Sequence, residues 1–93
     1  MSKPYSVYSY DAFDAPDDRR DLLQGEFDSL DEAVDFAKKM IDDAINADIA
    51  RGRTLEAAVS SYKIAGEIPM VRGKMETRFH AYDYLNSLLE KPR

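Results

Sequence analysis

The stretch Ser29-Leu30-Asp31-Glu32-Ala33-Val34-Asp35-Phe36-Ala37-Lys38-Lys39-Met40-Ile41 decides the architecture. Ser-x-x-Glu is the capping-box pattern, in which the serine side chain accepts from a free helix amide and the glutamate reaches back to the serine amide. Asp31 and Glu32 place negative charge at the positive end of the helix dipole. Beyond the cap, apolar residues recur at Leu30, Ala33, Val34, Ala37, Met40, Ile41, Ala44 and Ile45, with Phe36 and Ile49 widening the stripe. That spacing is helical. Gly52, after Arg51, suits a left-handed stop. The reading is a helix over Leu30–Ala50, about 30 Å long, with Asp35 placed to pair with Lys39 on its wet side.

Upstream, Tyr5-Ser-Val-Tyr-Ser-Tyr-Asp-Ala-Phe13 is aromatic and β-branched and reads as a strand. Tyr5, Val7 and Phe13 share one parity and Tyr8, Tyr10 and Ala12 the other, so both faces carry apolar bulk. Asp14–Asp21 contains Pro16 and several aspartates and reads as a turn. Leu22–Phe27 is a second short strand, antiparallel to the first if the turn closes a hairpin, with its register open. Downstream, Thr54 is a candidate cap for a shorter helix with Leu55, Ala58, Val59 and Tyr62 on its apolar face and Gly66 as its stop. A strand is the rival reading for Ser60–Ala65. Ile68-Pro69-Met70-Val71 is extended, and its proline points to an edge or to the first residues of a strand. Arg72–Arg78 is a polar loop. Phe79–Glu90 is a third helix with Ala81, Leu85, Leu88 and Leu89 facing inward, and Lys91–Arg93 is expected to fray. The expected fold is α+β: an antiparallel sheet of about three strands packed by a long helix and two shorter ones, in the order β-β-α-α-β-α, forming a single domain over residues 1–93.

Gly25-Glu-Phe-Asp-Ser-Leu-Asp-Glu-Ala33, Tyr62-Lys-Ile-Ala-Gly-Glu-Ile-Pro-Met-Val71 and Phe79-His-Ala-Tyr-Asp-Tyr84 occur in that order. Together they resemble a small family of bacterial proteins of unknown function. In that family G-x-F-x-[ST]-L-E-E-A is followed by Y-K-x-F-G-E-x-P and then F-S-A-W-D-Y. The likeness covers about residues 5–85, with departures at Ala65, Ile68, His80 and Tyr82, where the family carries Phe, Asp, Ser and Trp. It implies an α+β fold and no assigned activity, and it makes the His80 position a helix cap.

Composition narrows the chemistry. The 93 residues include no cysteine, one histidine, 18 acids and 13 bases, for a net charge of −5. Disulfides, thiolate metal sites and cysteine nucleophiles are excluded. No apolar run marks a signal peptide or a membrane span, so the expected location is cytoplasmic, without membrane contact. Residues 1–50 carry a net −8 and residues 51–93 a net +3, which is most simply two halves that attract when folded. Arg51, Arg53, Arg72, Lys74 and Arg78 form a basic patch if their loops meet, but pairing with the acidic half explains them better than nucleic-acid contact.

His80 and Asp83 lie one helical turn apart and suit a general base, although no nucleophile motif accompanies them. A capping or surface histidine is the simpler reading. Asp11, Asp14, Asp17 and Asp18 invite a calcium reading, yet the EF-hand order is absent and a solvated acidic loop suffices. The scattered glycines form no phosphate loop. No cofactor is expected.

The tyrosines remain. Tyr8, Tyr10, Tyr62, Tyr82 and Tyr84, with Met70, are the candidate interaction surface, because tyrosine joins a large rigid ring to a polar tip. Boundary packing, ring inward and hydroxyl at the rim, is the plainer alternative. The resulting expectation is a non-enzymatic protein-interaction or homodimerising module, using an exposed apolar strip or the open edge near Ile68–Val71. Two other classes stay open: a small-molecule-binding domain or modest enzyme around Arg78, His80 and Tyr82, and an acidic decoy of a nucleic-acid-binding protein.

Overall fold

In the computed structural model, which describes residues 3–73 and 79–90, Ser29 has extended backbone and its Oγ accepts the Glu32 amide at 3.2 Å. The Glu32 carboxylate takes the Ser29 hydroxyl at 3.1 Å, rather than the serine amide that the capping pattern predicts. From this cap α1 runs Leu30–Ala50. Ala33, Ala37, Ile41 and Ile45 form its buried spine, one residue every fourth position. The two alanines let the helix approach the sheet closely, and the two isoleucines fill the wider space beyond it. Gly52 ends the segment at φ 95°, a left-handed conformation open to glycine. On the wet side Lys39 pairs with Asp43 at 2.9 Å, the next turn on, and not with Asp35 as the spacing predicts.

Thr54 caps α2, Leu55–Ala65, with its Oγ1 accepting the Ala57 amide at 3.1 Å. Residues 60–65 are therefore helix, and the rival strand is set aside because Tyr62 is needed on the buried side of the turn. Gly66 stops this helix in extended backbone; a Cβ there would stand 2.7 Å from the Tyr62 carbonyl oxygen. The glycine serves close approach rather than a left-handed turn.

Three antiparallel strands, β1 (Tyr5–Asp11), β2 (Leu22–Phe27) and β3 (Glu67–Gly73), lie in the order β2-β1-β3. β1 stops two residues short of Phe13, contrary to the sequence reading. Asp11 turns the chain by accepting the Phe13 amide on its carboxylate at 2.9 Å and the Asp14 amide on its carbonyl at 3.2 Å. Phe13 is left 76% exposed. A single 3-10 turn, Pro16–Asp18, follows. β3 extends through Arg72 and Gly73, which the sequence reading assigns to a loop; the remaining residues of that expected loop, 74–78, and residues 91–93, where fraying is expected, lie outside the described residues. The last helix, α3, spans Ala81–Glu90 and starts two residues later than predicted, with the His80 carbonyl accepting the Tyr84 amide at 3.1 Å.

Directly opposed residues of antiparallel strands share a face. Val7 is opposed by Gly25 and Val71, and this row packs on Ala33 and Ala37 of α1. A larger cluster joins Ile41 and Ile45 to Val59, Tyr62, Ile68 and Leu85, and Phe79 touches both groups. Leu85 and Ile41 are fully buried, each worth about 2–3 kcal/mol of transfer free energy. The chain measures 43 × 33 × 20 Å. Val7 and Val71 pack with α1 on one face of the sheet, whereas on the opposite face the Tyr10–Ile68 pair at one end joins the larger helical cluster, so that end is covered as well.

Candidate interaction surface

On the other face Tyr8 stands opposite Leu23 on β2 and Met70 on β3, next to the Tyr10–Ile68 pair that is packed on the helical cluster. Two residues along, Ser6 stands opposite Glu26 and Arg72. The two rows, Leu23–Tyr8–Met70 and Glu26–Ser6–Arg72, lie on the face turned away from Val7 and α1. Leu23 is 53% exposed and its neighbour Leu22 56%. The Arg72 guanidinium rests 4.5 Å from the centre of the Tyr8 ring and pairs with Asp21. Leu22, opposite Ser9 on the other face, is exposed too, so the start of β2 is wet on both faces and two consecutive leucines there are the signal by which Leu23 could have been found.

Edge strands flank this face, and both carry protection against strand addition. β3 contains Pro69, which has no amide hydrogen to offer. In β2 the register slips between Val7 and Tyr8, leaving Gln24 as an extra, bulged residue whose amide donates to Ser9 Oγ at 2.9 Å. The edge near Ile68–Val71 does exist, and it is the edge that carries the proline.

The remaining tyrosines are dispersed. Tyr10 lies under the Arg19 guanidinium, 3.6 Å from its ring centre. Tyr82 is its neighbour and donates to the Lys63 carbonyl at 3.2 Å; burial first, and then Tyr10, raise its phenol above the ordinary value against the opposing Arg19. Tyr84 donates to Asp42 at 2.6 Å and is pushed up to about 12 by burial and then by that carboxylate. Tyr62 is only 7% exposed and donates to the Glu67 carbonyl, with burial first, and then the Glu67 charge, holding its phenol above the usual range. Tyr8 and Met70 thus adjoin each other, Tyr10 and Tyr82 form a second pair, Tyr84 stands apart, and Tyr62 is interior.

His80 and Asp83 line a groove of about 410 Å³ between α1 and α3, with Leu30, Val34 and Phe79 as its apolar wall and Lys38 at its side. Tyr82 turns from this groove toward Lys63, and Arg78 lies outside the described residues. Ser87 in the groove gives its hydroxyl hydrogen to the Tyr84 carbonyl at 2.6 Å. Asp11, Asp14 and Asp18 share a cavity wall with Arg20, and among the described residues no group of three or more histidines and carboxylates is arranged to hold a metal. Arg51 and Arg53 both reach Asp48, at 3.4 and 3.5 Å, and Arg72 reaches Asp21. Bases of the second half therefore meet acids of the first. Among the described residues no helix is long and apolar enough to cross a membrane. No family model, no curated protein and no solved structure matches the chain.

Proposed function

We propose that the protein is a non-enzymatic interaction module that engages protein through the sheet face bearing Leu23, Tyr8 and Met70. The observation that carries this reading is the Leu23–Tyr8–Met70 row, apolar and lying on the face turned from α1, with Leu23 half in water. A ring, a thioether and a branched aliphatic side by side are the materials of an interface centre. The acid and base of the neighbouring row supply a polar rim. A chain without cysteine suits work in a reducing cytoplasm. A photo-crosslinking amino acid at position 23 tests the proposal in cells. Protein adducts from position 23, absent when the probe sits at Ile64, are expected; Ile64 is even more exposed but lies on α2. Adducts from neither position, or equally from both, overturn it.

The α1–α3 groove favours a second reading, a small-molecule site, because its volume lies in the range of ligand pockets. Its His80 and Asp83 are the polar groups that would orient a ligand. Ligand occupancy raises the melting temperature, so an unchanged melting temperature across a metabolite library removes this reading.

A further inference from the structure

We infer that the partner of this sheet face is a second copy of the chain, seated face to face about a two-fold axis that runs along β1. The inference rests on the function proposed above and names its partner.

The argument is one of pattern. Strand order places β2 and β3 on opposite sides of β1. A two-fold axis parallel to the strands, lying between two stacked sheets, exchanges these sides and keeps each row at its own height. Glu26 of one copy then stands over Arg72 of the other, and Arg72 over Glu26. Leu23 stands over Met70, Met70 over Leu23, and Tyr8 meets Tyr8 at the axis. In these two rows the off-axis contacts are complementary and each occurs twice, while Tyr8 meets its own copy once, as an isologous interface requires.

The alternative axis, in the same plane but across the strands, fails this test. Set on the charged row, it places Glu26 over Glu26 and Arg72 over Arg72. Set between the rows, it places Glu26 over Leu23 and Arg72 over Met70. Over these two rows only the axis along β1 satisfies charge and apolar surface together. Stacked sheets cross at about 30°, but the two rows are only about 7 Å apart, so the twist displaces them little.

The charges are available for this role. Glu26 is exposed and in no ion pair among the described residues. Arg72 uses one terminal nitrogen on Asp21, and a guanidinium offers five donors in a fork.

The area sets the strength. All three strands lie abreast only along Tyr5–Ser9 of β1, a face of about 17 × 14 Å. This is well under the roughly 800 Å² per partner of a standard interface. The expected dimer is therefore weak and concentration-dependent.

Sedimentation equilibrium of the full chain up to millimolar concentration tests this. The wild type is expected to dimerise, and Glu26→Arg to raise the dissociation constant about tenfold, since two rim pairs turn repulsive at once by symmetry. Arg72→Glu should weaken self-association likewise, and an equimolar mixture of the two variants should restore it as a heterodimer. Arg72→Glu also loses the Asp21 pair, so a cross-linking arm avoids any charge change. The chain has no cysteine, and Ser6→Cys supplies a single thiol beside the axis that a short bismaleimide should join across the dimer. A wild type that stays monomeric at millimolar concentration, or a Glu26→Arg variant that dimerises as well as wild type, overturns the inference. If the position-23 probe still captures a different protein, the proposed function stands while the second copy is excluded.

Discussion

The Tyr84 hydroxyl donates to the Asp42 carboxylate at 2.6 Å and ties α3 to the middle of α1. Lys38 stands 5.5 Å from the same ring, so a phenol, a carboxylate and an ammonium meet at one helix crossing.

This crossing has a pH signature. In the folded chain Tyr84 is held near 12, against 10.0 for a free phenol, and Tyr62 is also raised. Between those values the folded state keeps protons that the unfolded chain has lost, so stability falls as pH rises through the window. Below about pH 10 both states are protonated and the contribution is complete. Melting temperature should be flat in these terms up to pH 10 and fall toward pH 12. Tyr84→Phe should reduce the slope, as read by thermal melts alongside phenolate absorbance.

Ser29→Ala removes the acceptor of the Glu32 amide and the donor to its carboxylate. A loss of about 0.5–2 kcal/mol is expected in urea unfolding. No measurable loss would contradict the assigned start of α1.

Gly73 lies directly opposite Tyr5, and a Cβ there would run into the Tyr5 ring. Gly73→Val should therefore cost about 1–3 kcal/mol by overpacking. Adding Tyr5→Ala should recover part of that loss, and a double-mutant cycle reads the coupling.

Leu85 and Leu23 separate core from surface. Leu85 is fully buried, and Leu85→Ala should cost about 2–5 kcal/mol. Leu23, half in water, should tolerate Leu23→Ser with a change within about 0.5 kcal/mol. The same substitution should abolish self-association at concentrations where the wild type pairs.

The long helix was legible because local signals agreed: a serine cap, acids in the first turn, and apolar residues at 33, 37, 41 and 45. The strand order was not, since pairing is non-local and the bulge at Gln24 leaves no mark in the local pattern. Phe13 misled because an apolar residue extends a strand pattern, while the Asp11 side chain, which actually ends it, reads as an ordinary polar position. Tyr62 is the most instructive. Its place in the Leu55, Ala58, Val59 stripe already put it on the buried side of α2, and grouping it with the surface tyrosines set residue type above periodicity. Glu26, Ser6 and Arg72 could not be joined into a row from sequence, because their alignment depends on the register of two separate strand pairs.

Concentration-dependent NMR shifts test the central claim most directly. Dilution from millimolar to micromolar protein should move the amide signals of Ser6, Tyr8, Leu23, Glu26, Met70 and Arg72 together. Those of Val34, His80 and Asp83 in the α1–α3 groove should stay fixed. Shifts that are unchanged on dilution, or that cluster in the groove, would contradict pairing through the sheet face.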